Sequence, residues 1–61
     1  MNYEDSEAAE EFRNSGYGEE SIRTWFAAPN KFLEGATPEV ALSDDPDGVT
    51  AAAKLFIAGH R

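Results

Sequence analysis

Apolar positions along this chain recur at helical spacing, and no stretch alternates with the period of two that marks a strand. Ala8, Ala9 and Phe12 stand at i, i+1 and i+4 between acidic residues, so they share one face of a helix. Asn14-Ser15-Gly16 predicts the end of that helix, because glycine accepts the left-handed conformation of a C-terminal cap. A second series follows: Ile22, Trp25, Phe26 and Pro29 at i, i+3, i+4 and i+7, with Glu19 and Glu20 placed to complement the positive end of the helix dipole. Pro29 predicts a stop near Ala28, since the residue before a proline is pushed out of the α region. Asn30 to Gly35 reads as a loop or a single turn with Phe32 and Leu33 turned inward. Thr37-Pro38-Glu39 then predicts a helix start, with threonine as N-cap and proline in the first position, for a short element through Val40, Ala41 and Leu42. Asp45-Pro46-Asp47 repeats that chemistry before a last helix expected from about Asp47 to Ala58 and ended by Gly59. Val49, Ala52, Ala53 and Phe56 share one of its faces, and Leu55 and Ile57 widen the apolar surface on either side. The predicted fold is all-α, a small bundle of three to four short helices.

Length and charge sharpen this picture. Sixty-one residues hold one small domain whose core is marginal without a staple or a partner, and with no cysteine there is no disulfide or thiolate site. Twelve acids against five bases give a net charge of −7, which argues against direct binding to nucleic acid or to an anionic membrane. The charge is unevenly divided. Residues 1–20 carry seven acids and one base, a net of −6, whereas residues 21–61 carry five acids and four bases. This predicts an acidic N-terminal helix or arm over 1–18, dispensable for folding, and a helical protein-binding domain over 19–61. The N-terminus lacks the basic start and apolar stretch of a signal peptide, and the most apolar run, Ala51 to Ala58, contains Lys54 and is too short to span a bilayer. A cytoplasmic location is expected.

Candidate chemistry is sparse, and an enzyme is not expected. The single histidine, His60, follows Gly59 at a helix end, where a protonated imidazole complements the dipole. The serines have no neighbouring base, and Gly16-Tyr17-Gly18 is a turn without the strand and later glycine of a phosphate loop. Asp44 to Gly48 invites comparison with a calcium loop. With Gly48 at position 6, Asp45 and Asp47 fall at positions 3 and 5, but Ser43 stands at position 1 and Lys54 where the bidentate glutamate belongs. Helix capping is the better account of these acids. No cofactor or metal is expected.

The order of residues in the second half resembles the toxin-binding domain of the Xre/MbcA/ParS antitoxins. That family's pattern runs approximately W-L-x-x-P-N-x-x-L-x-G-x-T-P-x-x-x-L, followed by a helix ending I-x-x-G. Here Trp25, Pro29-Asn30, Leu33, Gly35, Thr37-Pro38 and Leu42 match; Phe26 takes the leucine position, and Phe56 takes the isoleucine position with Gly59 three residues on. The resemblance covers residues 25–59. It implies a partner of the RES-domain toxin class, whose members degrade NAD, and neutralisation by occlusion, with Phe56, Gly59, His60 and Arg61 at the occluding end. The family's helix-turn-helix segment has no counterpart in the 24 residues before Trp25, which are too few and acidic overall, so operator binding is not expected. The last helix carries Ala51, Ala52 and Ala53 where the family tends to have larger aliphatics.

Two functional expectations follow. The first is a non-enzymatic antitoxin-like module, with Phe32, Leu55, Phe56, Ile57, His60 and Arg61 as partner-contacting residues. The second is a small standalone modulator, phage- or plasmid-encoded, that binds another host protein and uses its acidic face as a nucleic-acid mimic. Under either, the small core and the broad apolar surface of the last helix predict a homo-oligomer, most simply a dimer.

Overall fold

In the computed structural model, which describes residues 2–60, every regular element is helical. A 3-10 turn at Tyr3–Asp5 leads into α1 (Glu7–Asn14), followed by α2 (Glu19–Ala27), a 3-10 turn at Lys31–Leu33, the four-residue α3 (Pro38–Ala41) and the long α4 (Pro46–Gly59). Each boundary has a local cause. Ser6 is the N-cap of α1: its Oγ accepts from the Ala9 N–H at 3.2 Å and donates to the Tyr3 carbonyl at 2.6 Å, so one buried hydroxyl joins the turn to the helix. The C-terminus of α1 is a Schellman motif. The Gly16 N–H bonds the Arg13 carbonyl, the Tyr17 N–H bonds the Phe12 carbonyl, and Gly16 supplies the positive φ of 90°. The same wrap sets Tyr17 edge-on against Phe12, with ring centroids 5.1 Å apart.

The loop after α2 is organised around Asn30. Its side chain accepts from the Phe32 N–H at 2.9 Å, its carbonyl accepts from Leu33 and Gly35, and its N–H reaches the Ala36 carbonyl. Gly35 at φ 88° completes the reversal, preceded by Glu34 at φ 58°. The ordered Pro29-Asn30, Leu33, Gly35, Thr37-Pro38 string thus folds as one closed turn. Thr37 holds the N-cap position of α3 without a side-chain cap bond, and Pro38 behind it is buried. Asp45 caps α4 by accepting from the Gly48 N–H at 3.0 Å. Gly59 remains inside α4 rather than forming a left-handed cap, and His60 takes the C-cap position at φ −117°.

The core is made by α1, α2 and α4 together: Ala8, Ala9, Phe12, Ile22, Trp25, Phe26, Val49, Ala52 and Ala53 are buried, with Leu42 closing one end. The expected acidic helix or arm over 1–18 thus supplies Ala8, Ala9 and Phe12 to the same core as residues 19–61. The reason lies in shape. The most extensive helix pairing is α1 on α4, each contributing two adjacent buried alanines, and small side chains let two helices approach closely. Ala52 and Ala53 of α4 therefore leave room for α1. One flank of α4 that promised a partner is covered from within the chain. The expectation that Phe32 turns inward with Leu33 is corrected: Leu33 is half-buried, but Phe32 is 54 % exposed on the outer side of the 3-10 turn.

Candidate functional site

An aromatic groove lies where α1, α2 and α4 meet. Its wall is built from Phe12, Tyr17, Trp25 and Phe56, with Glu20, Ser21, Thr24 and Ala28 of α2 and its C-cap along the edge, and it encloses about 440 Å³. The rings interlock at tilted and edge-on angles: Phe12 to Trp25 at 4.9 Å, Phe12 to Phe56 at 5.9 Å, Tyr17 to Phe56 at 6.2 Å and Trp25 to Phe56 at 6.4 Å. Those separations lie within the range in which aromatic pairs attract through their quadrupoles. A second depression of about 290 Å³ shares Trp25, Ala28 and Phe56 and extends past Pro29 and Asn30 to Lys31 and Phe32. The two form one surface with Trp25 and Phe56 at the junction.

Trp25 carries the most informative polar atom of the site. The residue is 8 % exposed, its indole lines both depressions, and its Nε1–H is buried with no hydrogen-bond partner among the described residues. A buried donor without an acceptor costs about 1–3 kcal/mol.

Phe56 is held from the other side by His60. The imidazole stacks on the phenyl ring at 4.1 Å and 21°, and its Nδ1 lies 2.8 Å from the Phe56 carbonyl. A carbonyl can only accept, so Nδ1 carries the proton. The turn that positions Tyr17 is fixed by Arg13, which reaches from α1 to α2 with Nε 2.9 Å and Nη2 3.2 Å from the Glu19 carboxylate. Hydrogen bonding from Arg13 lowers the Glu19 pKa below its ordinary value, desolvation opposes this, and charge attraction reinforces it. Arg13 also lies 3.5 Å from Glu10, and Arg23 pairs with Glu20 at 3.7 Å.

No family model, curated protein or solved structure matches this chain. Its functional reading therefore comes from the residues themselves.

Of the expected contact residues, the fold brings Phe32 and Phe56 onto one surface with Trp25, and it sets His60 and Ile57 around a polar hollow with Asn14, Ser15 and Tyr17. Leu55 is 53 % exposed and lines none of these depressions. Arg61 lies outside the described residues. Phe12 and Tyr17 were not expected in a site. Their signal was present in the sequence, as an aromatic directly after a C-terminal glycine and five residues beyond another aromatic, which is the hydrophobic contact of a Schellman motif. Val40, at 67 % exposure, was missed as a surface residue because it stands in an apolar run with Ala41 and Leu42. Asp45 is engaged in capping, and no group of three His, Asp or Glu side chains among the described residues is placed to hold a metal ion. No helix among them is long and apolar enough to cross a membrane.

Proposed function

We propose that this chain is a non-enzymatic protein-binding module that engages its partner through the Trp25–Phe56 surface. The observation that carries the reading is the aromatic groove itself: an open, mostly apolar concavity lined by Trp25, whose buried indole N–H has no partner among the described residues. Such a site suits an apolar side chain followed by a backbone carbonyl, the combination that a protein segment presents. The resemblance of residues 25–59 to the antitoxin toxin-binding domain makes a RES-type toxin the first partner to test, with the end of α4 and His60 placed against it.

The test is co-expression with a RES-domain toxin, reading cellular NAD and growth. Expected is protection by the wild-type chain and its loss in Thr24→Arg, which places a bulky cation at the groove edge from an exposed helical position without removing core contacts. No protection by a folded wild-type chain excludes the toxin. Protection that survives Thr24→Arg excludes the groove.

A second reading, the acidic modulator of a host protein, is favoured by the ion pairing at one end of the molecule. Arg13 and Arg23 are both tied to carboxylates, which leaves the α1–α2 end with a large excess of negative charge. Binding through that end would weaken steeply with salt, with a screening length of about 10 Å at 0.1 M.

A further inference from the structure

On the far side of the Asn30 loop lies a different kind of surface. Two of the large apolar side chains most exposed to solvent, Phe32 and Val40, line a shallow groove of about 400 Å³ with the half-buried Leu33. Its remaining lining includes three carboxylates, Glu34, Asp44 and Asp45, and no cation. Among the described residues, Glu34 and Asp44 make no side-chain hydrogen bond or ion pair, and one Asp45 oxygen is occupied by the Gly48 N–H. Lys31 stands beside this groove, with Nζ 5.6 Å from the centroid of the Phe32 ring, and lines the neighbouring depression. The Phe32 ring therefore already presents one face to an ammonium group.

An apolar strip edged by carboxylates of one sign selects a partner of the opposite pattern, with aliphatic side chains flanked by lysine or arginine. A second copy of this chain is a poor fit, because its net charge of −7 would set carboxylates against carboxylates. Glu34 adds a detail. It holds a left-handed φ of 58°, a conformation that costs an ordinary residue about 1–2 kcal/mol and glycine almost nothing. The loop thus keeps a carboxylate where folding alone would favour glycine.

We propose that the Phe32–Val40 groove is a second docking surface, which shares only Phe32 with the depression beside Trp25, and that it takes a cationic amphipathic segment of a protein partner. The aliphatic residues of that segment lie on Phe32, Leu33 and Val40, and its basic residues meet Glu34, Asp44 and the free oxygen of Asp45.

The experiment is an amide chemical-shift titration of the full chain with a synthetic amphipathic helix of leucine and lysine alone, and with the same peptide carrying glutamine for every lysine. Expected are the largest shifts at Phe32, Glu34, Val40 and Asp44, and binding by the glutamine peptide weaker by about tenfold or more. Val40→Lys should weaken the lysine peptide by about tenfold, the loss of a central anchor. Glu34→Gly should melt at the same temperature as wild type or higher, yet bind about threefold more weakly, which separates the carboxylate's role from folding. Shifts centred on residues 4–20 would show attraction to the larger acidic face and overturn the assignment. Shifts centred on Trp25 and Tyr17, equal affinity for both peptides, self-association through Val40 without peptide, or no binding at millimolar peptide would each overturn it as well. Thr24→Arg lies in the Trp25–Tyr17–Phe12 groove and leaves this one untouched, so it tells binding at the two grooves apart.

Discussion

Replacing Phe12 with alanine measures how far the acidic N-terminal segment belongs to the core. The ring is 1 % exposed and touches three other aromatics, at 5.1 Å (Tyr17), 4.9 Å (Trp25) and 5.9 Å (Phe56). Burying about 200 Å² of phenyl surface at roughly 25 cal/mol per Å² amounts to about 5 kcal/mol. Buried Phe-to-Ala changes cost about 3–5 kcal/mol in practice, which includes the cavity left behind. At roughly 0.05–0.15 kcal/mol per residue, a chain of this length has about 3–9 kcal/mol of stability in all. Phe12→Ala should therefore remove between a third and the whole of it. Urea unfolding is the assay, followed by circular dichroism and by the fluorescence of Trp25. With a slope near 1 kcal/mol per M, the midpoint should fall by about 3 M or the protein should be unfolded in buffer. The fragment 19–61, which lacks Ala8, Ala9, Phe12 and Tyr17 together, should show no cooperative transition. A loss under about 1 kcal/mol in Phe12→Ala, or a cooperative melt of 19–61, would refute the placement of α1 in the core.

Further outcomes follow from single contacts. Ser6→Ala removes an N-cap that also donates to the Tyr3 carbonyl and should cost about 0.5–2 kcal/mol in thermal or urea melts. A Cβ on Gly48 would clash with the capping Asp45 carboxylate, so Gly48→Ala should gain nothing in wild type but stabilise an Asp45→Ala background by about 1 kcal/mol; additive effects would deny the coupling. The Glu19 pKa is lowered in the folded state, so its contribution is present above the ordinary glutamate pKa and lost as pH falls through the lower folded value; Glu19→Gln should flatten that acid limb in pH-dependent melts. Self-association, if it uses α4, has exposed Leu55 as its remaining anchor, so light scattering at micromolar concentration should give a mass above 6.7 kDa that Leu55→Asp returns to monomer. A monomeric wild type would remove the oligomer.

Local signals determined much of this protein. The helical period, Gly16 after Asn14-Ser15, Pro29 after Ala28, and the Thr37-Pro38 and Asp45-Pro46 starts place the helices within a residue or two of where they lie. Such features work because capping, proline and glycine act on the backbone of their immediate neighbours, whatever the rest of the chain does. The Asn30–Ala36 turn was legible for the same reason, as a string of residues whose hydrogen bonds all close within it. Tertiary structure decided what faces what. Charge in residues 1–20 suggested an acidic helix or arm outside the core, but charge lies on one face of α1 and says nothing of the opposite one, where two alanines and a phenylalanine meet α4. The groove was likewise out of reach, since Phe12, Tyr17, Trp25 and Phe56 come from three elements and no spacing along the chain relates the first two to the last. Phe32 and Val40 were decided by a rotation of less than one turn about a short element, too small an angle for a pattern of three or four residues to encode.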